Sequence, residues 1–373
     1  MTDISLIILA AGNSTRFGLP TKKQWLYQDN IPLWQFVANR LKNYYNFAQI
    51  VVVGNANELK LMQKFENFTF VSGGNSRQES LSNAVKDIKS DFVLVNDVAR
   101  CCVEEPLIKR LINSAKEGAC CAPAIKISDT TYYDGKPIDR QKLLRIQTPQ
   151  LSHTQTLKEL LKNADEFTDE STLFFNANKE VIFVEGSNSA QKLTYKDDLK
   201  LLSCLKAVAN EPKVGFGVDI HPFQENKKMY LGGVEIESNF GFKAHSDGDV
   251  AIHALIDALL GAASLGDIGE LFPDTSSEFK DIDSKILLKE VVKLVKGVGY
   301  KITNCDITIV AQTPKISPYK EQMSKTLANL LDISQSRLNI KATTAEKLGF
   351  IGRAEGVKVY ATATLNYYQW ERI

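Results

Sequence analysis

The sequence predicts an α/β protein of two domains. The first is a mostly parallel sheet with flanking helices, and the second is a smaller α+β domain. The chain has 373 residues, more than one hydrophobic core usually serves. In its first hundred residues, short apolar runs alternate with helix-like stretches, the pattern of a parallel sheet built from βα units. Asp197–Ala209 reads as a helix, which Asn210-Glu211-Pro212 breaks before a new strand-like run. That is a short linker, so the domains are expected at 1–209 and 210–373.

Ile4–Leu9 is a short apolar run, as expected of a buried parallel strand. It runs straight into a Gly-containing loop and lacks a basic leader, so it reads as a core strand and not a signal peptide. The loop is Ala10-Ala11-Gly12-Asn13-Ser14-Thr15-Arg16-Phe17-Gly18, with Lys22 and Lys23 beyond it. Small residues let backbone N–H groups approach a phosphate, and Arg16 and Lys23 can neutralise it. The spacing matches neither a P-loop nor a G-x-G-x-x-G turn, so a structural strand-to-helix turn is equally open.

Leu33–Tyr44 is helix-like, Ile50–Val53 a strand, Glu58–Phe65 helical and Phe68–Val71 a strand. Gly73-Gly74-Asn75-Ser76-Arg77-Gln78-Glu79-Ser80 then opens another helix, and the strand Phe92–Val95 ends in Asn96-Asp97-Val98-Ala99-Arg100. In such sheets functional loops lie at the carboxyl ends of strands. Asp97 there could place Mg²⁺ near phosphates or simply cap a turn. Three later segments could complete a site: Ser128-Asp129-Thr130, then Asp139-Arg140 through Gln150, then Thr168–Ser171 with Gly186–Lys192.

Composition sets limits on function. The charged fraction is 24% and the net charge +1, which leaves no whole-chain electrostatic case for nucleic acid or membrane partners. No apolar stretch is long enough to span a bilayer. The 6 cysteines include the adjacent pairs Cys101-Cys102 and Cys120-Cys121, without metal-site spacing. Reduced, partly buried thiols in a cytoplasmic protein are the expectation.

Within the first half, Leu9-Ala10-Ala11-Gly12…Arg16…Lys23-Gln24, Gly73-Gly74…Arg77…Ser80, Asp97-Val98-Ala99-Arg100, Asp129-Thr130, Thr148-Pro149-Gln150, Thr168-Asp169-Glu170 and Lys192-Leu193-Thr194 occur in one order. Residues 1–205 thereby resemble the 2-C-methyl-D-erythritol 4-phosphate cytidylyltransferases, with their Rossmann-like nucleotidyltransferase sheet. The resemblance implies CTP and Mg²⁺ as nucleotide and cation. It implies that Ala10, Ala11, Gly12, Gly74, Asn75 and Ser80 contact the nucleotide, and that Arg16 and Lys23 stabilise charge on the phosphorus. Asp97 would help place Mg²⁺. Thr130, Arg140, Thr168 and Lys192 would bind and aim the acceptor phosphate. Asn96 and Cys101 depart from the family pattern, which has His and Pro there.

The second half opens on the strand-like Lys213–Val218 and Asp219-Ile220-His221. Alternation puts Asp219 and His221 on one face. Ala244-His245-Ser246-Asp247-Gly248 is a loop leading into a helix over Asp249–Leu260, on which Asp249, His253 and Asp257 share one stripe. Three of the chain's 4 histidines, His221, His245 and His253, fall in this short region. Asp219, His221 and His253 could hold a tetrahedral Zn²⁺ with one position open, or serve as caps and core. Mn²⁺ and Co²⁺ suit the same donors. Leu265–Asp274 is a loop, Ser284–Val298 a helix, Thr303–Ala311 a strand, Tyr319–Leu331 a helix, and Leu338–Ala342 and Lys358–Asn366 strands.

Gly217–His221, Ala244–His253, Leu265–Gly269, Phe272-Pro273-Asp274 and Lys341–Phe350 closely resemble the 2-C-methyl-D-erythritol 2,4-cyclodiphosphate synthases over 213–370. That resemblance implies Zn²⁺ on Asp219, His221 and His253, and transition-state support from His245 and Thr344. Ser246, Asp267, Ile268, Gly269, Phe272, Pro273 and Asp274 would line the diphosphate and erythritol part. Ala311, Pro314 and Lys315 would cradle cytosine, with Thr343, Phe350 and Arg353 in the same tract. Glu346 would hold a second cation, Mg²⁺ or Mn²⁺. A homotrimer through the second domain, inside a larger assembly if the first domain dimerises, is implied as well. The competing reading is another CTP-dependent nucleotidyltransferase fused to a metal-dependent phosphate enzyme, and a second is a nucleotide-binding scaffold without turnover.

Overall fold

Ile4–Leu9 (β1) is buried along its whole length, because helices cover both faces of a central parallel strand. The computed structural model describes residues 3–162, 166–273, 275, 279 and 282–372. They form two units, one of residues 3–208 with 370–372, the other of residues 209–369.

In the first unit β1 is followed by α1 (Leu33–Lys42), β2 (Gln49–Gly54), β3 (Thr69–Ser72), α2 (Arg77–Val85), β4 (Phe92–Asp97) and α3 (Glu105–Asn113). Then come β5 (Cys120–Lys126), β6 (Leu144–Ile146), β7 (Gln150–His153), α4 (Thr154–Leu161), α5 (Glu170–Asn176) and β8 (Val181–Glu185). The sheet runs β6-β5-β7-β4-β1-β2-β3, with β8 also on β5. β4, β1, β2 and β3 are mutually parallel, while β7 lies antiparallel to β4 and β5. Ile7, Val51, Val53, Val93 and Val95 pack with Leu81, Leu157 and Phe174 on one side of the sheet. The parallel strands deliver the loops after β1, β3 and β4 to one edge.

Two expectations need correction here. The helix expected over 197–209 is only a 3₁₀ stretch, Lys196–Leu201. Beyond it Asp29 N donates to Ala207 O at 2.8 Å, and Cys204 is disulfide-bonded to Cys102. These tertiary ties override local helix propensity. The cysteines are therefore not all thiols; Cys101, Cys120, Cys121 and Cys305 are, and they are buried. The chain end belongs to this unit as well: Trp370 Nε1 donates to Tyr27 O at 2.6 Å.

The second unit comprises β9 (Lys213–Glu225), β10 (Phe240–Phe242), α6 (Val250–Ala263), α7 (Ser284–Gly297), β11 (Tyr300–Val310), α8 (Lys320–Leu331), β12 (Leu338–Thr343) and β13 (Gly356–Tyr367). Its sheet runs β10-β9-β13-β11-β12. α6 is apolar nearly all round and buried accordingly. It lies on β9 at unusually short range. A Cβ on Gly215 would stand 2.0 Å from Ala258 O, and one on Gly217 2.0 Å from Ala254 O. Glycine is required there by the approach of two backbones. The intervening residues Val214, Phe216, Val218 and Ile220 point to the opposite face and are exposed. Among the described residues no helix is long and apolar enough to cross a membrane.

Gly217→Ala forces the helix off the strand. We expect a loss of about 3 kcal/mol or more in the unfolding of the second unit, read from urea denaturation. An unchanged midpoint would contradict the close approach.

Candidate active sites

In the first unit, the loops after β1, β3 and β4 enclose a cleft of about 470 Å³. Ser14 and Gln24 shape its first wall: Ser14 Oγ accepts from Lys23 N at 2.9 Å, and Gln24 Nε2 donates to Gly12 O at 3.0 Å. A Cβ on Gly12 would meet nothing within 4 Å, so the backbone there faces open space. The second wall opens α2. Ser76 Oγ caps that helix through Glu79 N at 3.0 Å. Gly74 N donates to Ser80 Oγ at 3.1 Å and Asn75 N to Glu79 Oε2 at 2.7 Å.

Asp97 forms the floor. Its Oδ1 accepts from Arg77 Nε at 3.1 Å and its Oδ2 from Lys192 Nζ at 2.7 Å. Burial works against its charge, but Arg77 and Lys192 outweigh burial and hold the carboxyl well below the usual range. Arg77 is also forked onto Glu170, at 2.8 and 3.3 Å. Lys23 Nζ donates to Leu193 O at 3.0 Å. Burial lowers its pKa, and the neighbouring cations Arg16 and Lys192 lower it further. Arg16, Lys23, Arg77 and Lys192 line the cleft together with the single carboxylate Asp97. With Glu170 behind Arg77, the cations still outnumber the carboxylates, and the site suits a polyanion such as a triphosphate.

Of the residues expected here, Ala11, Gly12, Arg16, Lys23, Gly74, Asn75, Ser80, Asp97 and Lys192 line the cleft. Ala10 lies behind it, its N–H bonded to Val53 O at 2.9 Å. Thr130, Thr168 and Arg140 are not in its lining. Arg140 is exposed, with Nη1 donating to Ser128 O at 2.6 Å, and Thr168 bonds Thr172. As for a cation on Asp97, both its oxygens are already engaged by Arg77 and Lys192. It is not a preformed metal site in this structure. The Arg77–Glu170 fork received no role in sequence, although Arg77 and Glu170 stand in the motifs quoted above.

In the second unit, β9 and α6 bring Asp219, His221 and His253 together. Asp219 Oδ2 lies 3.1 Å from His221 Nε2 and 3.3 Å from His253 Nδ1. His221 Nδ1 is 2.9 Å from Gly248 O. A carbonyl only accepts, so Nδ1 carries the proton and Nε2 offers a lone pair toward Asp219. Asp219 Oδ2 is buried and accepts no hydrogen bond. Donor atoms of the three residues lie within 4.8 Å of one another. A carboxylate oxygen and two ring nitrogens converging in this way fit a divalent cation. Without a metal, protons take the cation's place: burial disfavours charge on Asp219, but the two imidazoles in their protonated form outweigh it and hold the carboxyl far below the usual range. Burial likewise lowers the His221 pKa, and the Asp219 carboxylate beside it more than reverses this.

Several neighbours are fixed by the same framework. Asp249 is 0% exposed. It caps α6 through Ala251 N and Ile252 N at 3.1 and 3.0 Å, and accepts from Gly232 N and Gly233 N at 2.8 and 2.6 Å. Asp257 Oδ1 accepts from Ile268 N at 2.8 Å, pinning the turn Ile268–Leu271 beside α6. Asp267 caps that turn through Glu270 N at 2.9 Å, with Gly269 inside it and Phe272 and Pro273 following. Asp274 lies outside the described residues. His245 Nε2 is buried without a hydrogen-bond partner. Ser246 Oγ stands 3.3 Å from His253 Nε2.

A second group gathers at the end of β12. Thr344 Oγ1 donates to Glu346 Oε1 at 2.7 Å, and Lys347 N donates to Gln312 Oε1 at 3.2 Å. This ties Thr343–Glu346 to the segment carrying Ala311, Pro314 and Lys315. Register places the group level with the metal-type cluster but distant from it. Asp219 pairs Val359, Val359 pairs Ile309, and Ile309 pairs Ala342. Three strand spacings separate them within one chain, about 14 Å. Phe350 follows on the short helix Gly349–Gly352, whereas Arg353 is forked onto Glu355 at 2.6 and 3.2 Å.

Known proteins match both halves of the chain. Residues 4–205 match the family model of 2-C-methyl-D-erythritol 4-phosphate cytidylyltransferase, and residues 212–366 match the YgbB family. The chain is 51% identical to the bifunctional enzyme IspD/IspF of Sulfurovum sp. (strain NBC37-1) over 372 residues, and 49% identical to that of Aliarcobacter butzleri over 373, covering 100% of each. The solved structure of the bifunctional IspDF from Campylobacter jejuni matches over 100% of both chains, with a TM-score of 0.91 and 46% identity. The chain therefore belongs to the bifunctional IspD/IspF enzymes of isoprenoid precursor synthesis, with a cytidylyltransferase and a cyclodiphosphate synthase on one polypeptide.

Proposed function

We propose that the two activities run in two separate sites, with CTP bound in the cleft of the first unit and a divalent metal, Zn²⁺ by its donor set, on Asp219, His221 and His253. The observation that carries this is the contrast in chemistry. One site is an excess of cations around open backbone, and the other is an excess of lone pairs converging on one point.

In the first site Ala11, Gly12, Gly74 and Asn75 approach the nucleotide, and Arg16 and Lys23 face the α-phosphorus. An oxygen of the acceptor phosphate attacks that phosphorus, and the bond to the bridging oxygen of pyrophosphate breaks. Charge spreads over the phosphoryl oxygens, so positioned cations do most of the catalytic work. Mg²⁺ carried by the triphosphate would add to that charge neutralisation. Lys192 and Asp97 then act through each other, since the lysine that neutralises the floor is the one assigned to the acceptor. Thr130 and Arg140 flank an exposed hairpin, Thr131–Tyr133 with Lys136–Ile138. They serve an acceptor site most directly if they come from a second copy.

In the second site the substrate's 2-phosphate oxygen attacks the β-phosphorus of its own diphosphate, and CMP leaves. Nucleophile and electrophile belong to one molecule, so orientation supplies much of the rate. Asp219, His221 and His253 would hold a metal that supplies Lewis-acid polarisation of a phosphate oxygen. His245 offers its unpartnered Nε2 to the phosphates, and the turn Ile268–Gly269, fixed by Asp257 and Asp267, lines the diphosphate. Thr344 and Glu346, with a second cation, would complete the site from a neighbouring copy across the separation of about 14 Å. A homotrimer of the second unit fits that need and would cover Val214 and Phe216, 69% and 61% exposed. We place the protein in the cytoplasm, where CTP is made.

Lys23→Ala should lower pyrophosphate release from CTP and 2-C-methyl-D-erythritol 4-phosphate by about 10²-fold or more while leaving CMP release by the cyclase intact. His253→Ala should do the reverse and remove the bound metal. Joint loss in either variant refutes independent sites. Phe216→Glu should shift the mass in solution, measured by light scattering, below that of the trimer and lower cyclase activity alone. An unchanged mass would overturn the trimer interface.

A further inference from the structure

We propose that Ser284 and Asp247 are positioning residues that set the tautomer of His253 and so complete the metal centre. The inference rests on the metal-centre reading and adds to it the control of one ligand. His253 shows Nδ1 to Asp219 and Nε2 to Ser284 Oγ, at 2.9 Å. A neutral imidazole can present either nitrogen, and only the form protonated on Nε2 leaves Nδ1 free for a metal.

Ser284 makes that choice because its own proton is committed elsewhere. Its Oγ lies 2.5 Å from Asp247 Oδ1, and a carboxylate can only accept. The hydroxyl therefore donates to Asp247 and keeps lone pairs for His253 Nε2–H. The geometry is held from both sides. Asp247 Oδ2 accepts from Ser284 N at 3.1 Å, and Asp247 N donates to Ile282 O at 3.1 Å. Ser284 is 0% exposed and is the first residue of α7, which Asp283 caps through Lys285 N. Neither long side-chain freedom nor bulk water competes for the contact.

His221 obtains its tautomer from a backbone carbonyl, that of Gly248. His253 obtains the opposite one from a side chain, so this half of the centre can be altered by substitution. Ser246 makes the choice consequential. Its Oγ stands 3.3 Å from the same Nε2 and accepts from Gly248 N, so its own proton can turn toward the ring. Without Ser284, that proton can occupy Nε2's lone pair and place the imidazole hydrogen on Nδ1, against the metal.

The test titrates metal-free full-length protein with Zn²⁺ against a competing chelator. Ser284→Ala should bind about 10–100-fold more weakly than the unmodified protein. Asp247→Asn should do likewise, since its amide can donate to Oγ and turn the serine hydroxyl toward Nε2. Ser284→Thr, which keeps the hydroxyl, should bind as the unmodified protein does. With Co²⁺ in place of Zn²⁺, the visible spectrum should shift in the first two variants only. If unmodified protein binds metal and Ser284→Ala binds it within twofold, the positioning role is overturned. If unmodified protein takes up no stoichiometric metal, the centre itself is refuted. Should the variants not fold, imidazole ¹⁵N spectra of the unmodified metal-free protein at alkaline pH decide, with only 4 histidines to assign. A proton on His253 Nδ1 would overturn the proposal.

Discussion

The second unit depends on the approach of α6 to β9, where Gly215 and Gly217 leave no room for a Cβ against Ala258 O and Ala254 O. Two backbones in contact put residue 253 of the helix beside residues 219 and 221 of the strand. The same strand turns its other face outward, where Val214, Phe216, Val218 and Ile220 stand exposed. One close contact thus sets both the metal-type cluster and the apolar face that a further copy would cover. The helix could not shift by half a turn without losing its Asp249 cap and the Asp257 contact to Ile268.

The two sites meet the same problem, a substrate rich in phosphate, with opposite means. In the first, Arg16, Lys23, Arg77 and Lys192 press together around Asp97, and repulsion between Lys23, Arg16 and Lys192 lowers the Lys23 pKa beyond the effect of burial. A polyanion relieves that repulsion. In the second, His221 and His253 each have the outward nitrogen tied to Gly248 or Ser284, leaving the inward ones aimed at Asp219. A divalent cation held there would relieve that arrangement and would supply the positive charge that a phosphate needs. The first site stores positive charge in side chains, and the second would import it.

Much of this was legible in the sequence because it follows local periodicity. Alternation put Asp219 and His221 on one face, an uninterrupted apolar run announced α6, and apolar runs ending in small residues marked the loops after β1, β3 and β4. What could not be read was set by partners distant in the chain. Ser284 contacts His253 across 31 residues and Arg77 contacts Glu170 across 93. No local pattern encodes either pairing. The segment 197–209 reads as a helix by composition, yet Cys204 is bound to Cys102 and Ala207 accepts from Asp29. Asp97 reads in sequence as a Mg²⁺ ligand or a turn cap, whereas its two oxygens are taken by Arg77 and Lys192, which are distant in the chain. Asp249 and Asp257, alike on one helical stripe, differ in task only because one faces a glycine turn and the other a loop amide.

On this account the metal sits on one carboxylate and two imidazoles and not on sulfur; the other close group of donor atoms, Cys101, Cys102 and Cys204, has two of its three sulfurs joined in a disulfide and is no thiolate site. X-ray absorption at the zinc edge of the purified full-length protein tests this directly. Two imidazole shells and oxygen, with metal–ligand distances of about 2.0–2.2 Å, are the predicted result. A sulfur shell at about 2.3 Å would contradict it.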